Sequence, residues 1–101
     1  MSTYQSSEVR LSALRALAEP MRLALIDELA REGACACDLR RRFDLSAPLL
    51  SHHLKVLREA GLVRCEKVGR RLEVELDREA LANLAGSLPA EKRAEIGRAH
   101  V

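Results

Sequence analysis

A change of hydrophobic period at Gly61 does most to limit what this chain can fold into. Before that glycine, Leu50, Leu54 and Leu57 recur at helical spacing. The segment is punctuated at both ends: Ser46 is placed as an N-cap, Pro48 is tolerated in the first turn, and Gly61 follows as the C′ residue. Beyond it the period falls to two. Val63, Cys65 and Lys67 alternate with Arg64 and Glu66, and Leu72, Val74 and Leu76 alternate with Glu73 and Glu75. Val68-Gly69-Arg70-Arg71 joins the two runs into a β-hairpin. Asp77 then caps a last helix carrying Leu81, Leu84, Ala85 and Leu88, and Pro89 marks a break.

Upstream, residues 1–7 are small and polar and are expected to fray. Val9, Leu11, Leu14, Leu17 and Ala18 then trace an amphipathic helix up to Pro20. Pro20 opens a second helix, with Leu23, Ile26, Leu29 and Ala30 on one face and Gly33 as its stop. A third short segment has Leu39 and Phe43 at i, i+4, with Arg40, Arg41 and Arg42 on its solvated sides, and ends near Asp44. The predicted architecture is mainly α: four helices, a β-hairpin wing and a C-terminal helix, without an internal repeat. At 101 residues and 48% hydrophobic the chain closes one core, placed here at residues 1–95. Residues 96–101, Ile-Gly-Arg-Ala-His-Val, match the in-frame translation of a widely used sequencing adapter. They are expected to be adapter read-through, the other reading being a natural frayed tail.

Composition removes several function classes. The net charge of +2 excludes a polybasic tail, so any attraction for nucleic acid depends on where the charges lie. Tyr4 and Phe43 are the only aromatics, too few for the stacking platforms of single-strand binders. Three cysteines, two of them separated by one residue, argue against a secreted disulfide framework and for free thiols in a reducing compartment. No apolar run approaches the ~20 residues of a membrane span, and no leader precedes Glu8, so a cytoplasmic protein with no membrane partner is expected. Without a CxxC in a βαβ setting, a nucleophile-base pair or a Gly-rich phosphate loop, the chain does not read as an enzyme.

The third and fourth helices, joined through Asp44-Leu45-Ser46, have the layout of a helix-turn-helix whose second helix enters the major groove of double-stranded DNA by its N-terminal half. Ser46, Ala47, Leu49, Ser51, His52, His53 and Lys55 are available for DNA, while Leu50, Leu54 and Leu57 hold the helix to the core. Arg70 and Arg71 stand at the hairpin tip beside Lys67, as a phosphate-gripping wing requires. Residues 40–78 hold ten Lys/Arg against six Asp/Glu, so the basic excess lies on the winged helix-turn-helix unit.

The run from Ser51-His52-His53-Leu54-Lys55 to Gly61-Leu62-Val63 closely resembles the recognition helix of the ArsR/SmtB family of metal(loid)-sensing repressors. Leu17-Ala18-Glu19-Pro20-Met21-Arg22-Leu23 is similar to the start of that family's second helix, and Cys35-Ala36-Cys37-Asp38-Leu39 resembles its arsenic-sensing signature. The likeness runs collinearly over residues 9–88. It implies a winged-helix homodimer, built through the first and last helices, on palindromic operator DNA, with As(III) or Sb(III) as a releasing inducer rather than a permanently bound cofactor.

Cys35 and Cys37 are the expected metal(loid) ligands, because thiolates are soft donors and trivalent arsenic is a soft centre that takes three sulfurs. Residues i and i+2 lie about 200° apart on a regular helix, so binding is expected to unwind the start of the third helix. Arsenic sensors with this signature often carry a third cysteine where this chain has Arg40. The third position is left to Cys65, to a solvent thiol, or to the methyl group of an organoarsenical, although Cys65, in line with Val63, reads most simply as core. The resemblance implies no zinc site on the last helix: zinc-sensing members place Asp and His two apart at its start and His and Glu further along, whereas here Asp77 is followed by Glu79, Ala90 and Arg93 at those positions. The adjacent His52 and His53 diverge by about 100° on a helix and make poor co-ligands. A thiol-redox sensor on the same fold is the alternative, with Cys65 or a second subunit as the partner of Cys35, since Cys-x-Cys closes a tight ring.

Overall fold

The computed structural model describes residues 2–88; the expected break at Pro89, the positions Ala90 and Arg93, and the segment 96–101 lie outside the described residues. Five helices and a small sheet follow one another as α1 (Ser2–Leu17), α2 (Pro20–Arg31), β1 (Ala34–Cys35), α3 (Ala36–Phe43), α4 (Ala47–Glu59), β2 (Val63–Val68), β3 (Arg71–Leu76) and α5 (Arg78–Gly86). The order agrees with the sequence reading except for β1, which no periodicity announces because it is two residues long. The sheet is antiparallel in the order β1-β3-β2, with Val74 opposite both Ala34 and Cys65, and Glu73 opposite both Cys35 and Glu66.

Local chemistry sets the helix ends. Glu19 caps α2, its Oε1 accepting from the Arg22 N–H at 2.8 Å, and Asp77 caps α5, its Oδ1 accepting from Ala80 at 3.0 Å. The α4 C-terminus is a Schellman motif: Gly61 takes φ +79°, its N–H donates to the Arg58 carbonyl, and Leu62 donates to that of Leu57. The end of α3 repeats this with Asp44 at φ 53° and Leu45 donating to the Arg40 carbonyl, which turns the chain sharply into α4. In the hairpin Val68 pairs with Arg71, leaving Gly69 (φ +63°) and Arg70 as a two-residue turn.

Leu25, Ile26, Leu29, Leu39, Leu50, Leu54, Leu57, Leu62, Val74 and Leu76 form one core between the helices and the inner sheet face. Two expected faces are corrected. On α2 the buried stripe is Leu25, Ile26 and Leu29, whereas Leu23 is 47% exposed. On α1, which begins at Ser2, Ala13 and Ala16 meet the core while Val9 and Leu11 are 66% and 46% exposed. Leu14 and Leu17 pack half-buried beside the two alanines, so the expected stripe holds at its C-terminal end and fails at Val9 and Leu11. No helix among the described residues is long and apolar enough to cross a membrane.

Candidate DNA-binding face and thiol pair

The turn Asp44-Leu45-Ser46 sets α4 against α3. Leu45 is buried, and the Arg40 Nε–H donates to its carbonyl at 3.3 Å, so one side chain spans the turn. Ser46 begins α4, its Oγ accepting from the Leu49 N–H at 3.3 Å. The side chains of Ser46, Ala47, Leu49, Ser51, His52 and Lys55 are exposed, and Arg70 and Arg71 are exposed at the hairpin end. Arg71 shares its charge with Glu73, Nε to Oε2 at 3.2 Å. Arg70 forms no ion pair among the described residues.

His53 departs from the sequence reading, which put it among the residues available for DNA. It is 7% exposed and faces inward on α4, its Nδ1 3.4 Å from Arg22 NH1 and 4.0 Å from Glu19 Oε1. Burial lowers its pKa from the ordinary histidine value, the Glu19 carboxylate partly opposing this and the Arg22 cation reinforcing it. The reason is angular: His53 stands one position before Leu54 and four before Leu57, inside the buried stripe, while His52 points away from it. His53 therefore ties α4 to the start of α2.

Arg58 was missed in the sequence. With Ala47, Ser51 and Lys55 it lines the flank of α4 that faces the wing across a cleft of about 340 Å³, floored by Leu50, Leu54 and Leu72. Its spacing, i+3 from Lys55 and i+7 from Ser51, is the signal that would have found it. Arg41 and Arg42 are exposed as expected, yet each is held: Arg41 by Asp38 at 2.6 Å and Arg42 by Glu28, which also binds Arg31.

The thiol pair lies at the start of α3. Cys35 has the extended backbone of an N-cap (φ −80°, ψ 157°), and its Sγ accepts from the Asp38 N–H at 3.3 Å. It is 2% exposed, whereas Cys37 is exposed. The two are joined as a disulfide, their Cα atoms 5.3 Å apart. This overturns the expectation that the segment must unwind before the sulfurs can meet. The helix begins only at Ala36, and an N-cap side chain folds back over the first turn, so residues i and i+2 converge while the helix is intact. Within the chain the redox partner of Cys35 is thus Cys37 and not Cys65.

Cys65 is equally removed as a third ligand within one subunit. The register places it with Val74 and Ala34 on one sheet face, and Cys35 with Glu73 on the other. Its thiol is free and half-buried; burial pushes its pKa up, and Arg58 partly counters this. The third donor beside the pair is Asp38, which sequence reasoning passed over: the Cys35, Cys37 and Asp38 donor atoms all lie within 4.8 Å of one another. Once reduced, two soft sulfurs and one carboxylate suit a thiophilic ion or metalloid.

Against known proteins, residues 19–64 match the family model described as "Bacterial regulatory protein, arsR family". The chain is 41% identical over 69 residues to a transcriptional repressor SmtB homolog of Synechocystis sp., the match covering 68% of this chain and 52% of that protein. It thus spans about half the length of that relative. It is 36% identical over 75 residues to an arsenical resistance operon repressor of Staphylococcus aureus, covering 74% of this chain and 72% of that protein. Among solved structures, an ArsR-like transcriptional regulator from Rhodococcus sp. RHA1 superposes with a TM-score of 0.76 at 30% identity, covering 97% of this chain and 89% of that one.

Proposed function

Because the chain belongs to the ArsR family of bacterial regulatory proteins, whose members are transcriptional regulators and not enzymes, we propose that it is a repressor that binds palindromic double-stranded DNA as a homodimer and is released when trivalent arsenic or antimony engages Cys35 and Cys37. Ser46, Ala47, Leu49, Ser51, His52 and Lys55 of α4 face the major groove, Arg58 adds charge on the flank, and Arg70 and Arg71 of the wing hold backbone phosphate. The exposed aliphatics Val9 and Leu11 of α1 and Leu88 beyond α5 supply an apolar face for a second copy.

One observation carries the sensing half: two cysteine sulfurs and a carboxylate converge on the N-terminus of the helix that braces the recognition helix. When bound there, a trivalent metalloid supplies a soft centre that draws on both sulfur lone pairs. Cys35 then gives up part of its hydrogen bond from the Asp38 N–H, an N-cap contact worth about 1 kcal/mol. Asp38, turning towards the sulfurs, loosens its hold on Arg41. Both changes weaken the first turn of α3, and through Leu39, Leu45 and the Arg40 bridge they shift the seat of α4. A coupling of 1–3 kcal/mol, about 5–150-fold in affinity, is typical of such linkage.

The test is a titration of the reduced protein on duplex DNA selected from a random pool. Arsenite is expected to lower DNA affinity in the wild type and to leave Cys37→Ser unmoved; undiminished affinity at saturating arsenite refutes the proposal.

A further inference from the structure

The ligands proposed above are already joined to each other. We propose that oxidation of Cys35 and Cys37 holds the protein in its DNA-binding form and blinds it to the inducer, so that the pair is a redox gate on metalloid sensing; this rests on the reading of the pair as inducer ligands. A repressor released by oxidation would need the disulfide to deform the helix-turn-helix, and beside this disulfide the helix-turn-helix is regular. With the disulfide in place, α3 runs unbroken from Ala36 to Phe43, Cys35 still accepts from the Asp38 N–H, and Asp44 and Ser46 still cap the turn into α4. Leu39 and Leu50, which pin α3 and α4 to the core, are both buried. The oxidised chain superposes on a solved ArsR-like regulator over nearly all its length.

The same bond removes the sensor. Both sulfurs spend a valence on each other, and Asp38 remains as a lone carboxylate, a poor ligand for a soft centre. The Cα separation of 5.3 Å lies within the usual range for a disulfide, so the backbone here accommodates the bond. Cys37 is exposed and meets the oxidant first; Cys35, buried behind it, resolves the product. With hydrogen peroxide the Cys37 thiolate takes one oxygen, breaking the O–O bond and releasing water, to give a sulfenic acid. The Cys35 sulfur then displaces the second water, so two thiols and one peroxide become one disulfide and two waters. Cys65 does not compete, because it lies on the other face of the sheet.

The experiment is a comparison of four affinities on the same selected duplex: reduced and peroxide-treated protein, each with and without arsenite. Arsenite is expected to weaken DNA binding by the reduced form by about 10-fold or more. The oxidised form is expected to bind within about 2-fold of the reduced form and to ignore arsenite, with sensing restored by a phosphine reductant. Peptide mass mapping is expected to locate the bond at Cys35–Cys37, and Cys65→Ser to behave as the wild type. Release of DNA on oxidation, arsenite response of the oxidised form, or a disulfide mapped to Cys65 overturns the gate while leaving the inducer reading standing. A reduced protein that ignores arsenite overturns both.

Discussion

Cys35 has two separable duties, as a buried N-cap and as a thiol, and two substitutions divide them. Cys35→Ala removes the acceptor of the Asp38 N–H, which costs about 1 kcal/mol, and leaves a gap where a 2% exposed sulfur packed, adding about 1 kcal/mol more. Cys35→Ser keeps an acceptor, since serine is among the preferred N-cap residues, and its hydroxyl donor faces a desolvation cost that offsets part of this gain. The expected order in reducing buffer is wild type and Ser within about 1 kcal/mol of each other, with Ala about 2 kcal/mol below. For a domain near this size 1 kcal/mol corresponds to about 4–8 °C, so Cys35→Ala should melt about 8 °C or more below the wild type. Melting followed by circular dichroism at equal protein concentration measures it, since a dimer's midpoint moves with concentration. Both variants should lose arsenite-driven release of DNA. If Ser destabilises as much as Ala, the cap account is wrong; if either keeps the arsenite response, Cys35 is not a ligand.

Three other outcomes follow from the same contacts. The pKa of His53 is depressed by burial, so its unfolded form takes up a proton first; stability is present above about pH 6.5 and is lost as pH falls below it, and denaturant titrations at pH 7.5 and 5.5 should show a dependence that His53→Gln flattens. Arg70→Ala should weaken DNA binding about equally on all sequences and lower the salt slope by about 1 without changing the melting temperature, and Arg71→Ala should do less because Glu73 already holds that charge. Leu57→Ala, at a fully buried position of α4, should cost about 2–5 kcal/mol in urea denaturation, and a loss well under 1 kcal/mol would contradict the packing described.

Much of the architecture was legible because its signals are local. The Ser46 and Asp77 caps, the Gly61 terminator and the Gly69 turn each act within about five residues, and each stands where the sequence placed it. The helix faces were less so. Leu23 and Leu11 look like core residues in a one-dimensional stripe, and they stand outside because α1 turns Ala13 and Ala16, with Leu14 and Leu17 beside them, towards the core. A stripe defines the possible inner faces of a helix; which edge of it is covered depends on the neighbour's shape.

The sequence by itself determined the order of elements apart from β1, the helix-turn-helix with its wing, and the choice of Cys35 and Cys37 as the chemically distinctive pair. Tertiary structure alone decided how that pair is held. Pairing of Ala34 and Cys35 with β3, nearly forty residues further on, stops the helix from starting early and makes Cys35 its cap, so two thiols that a continuous helix would point apart are brought together. That same pairing sends Cys65 to the opposite face, and the seating of α4 on α2 turns His53 inward, towards Arg22 and Glu19. Spacing along a chain specifies angles within one element; which groups meet across elements depends on long-range register and burial.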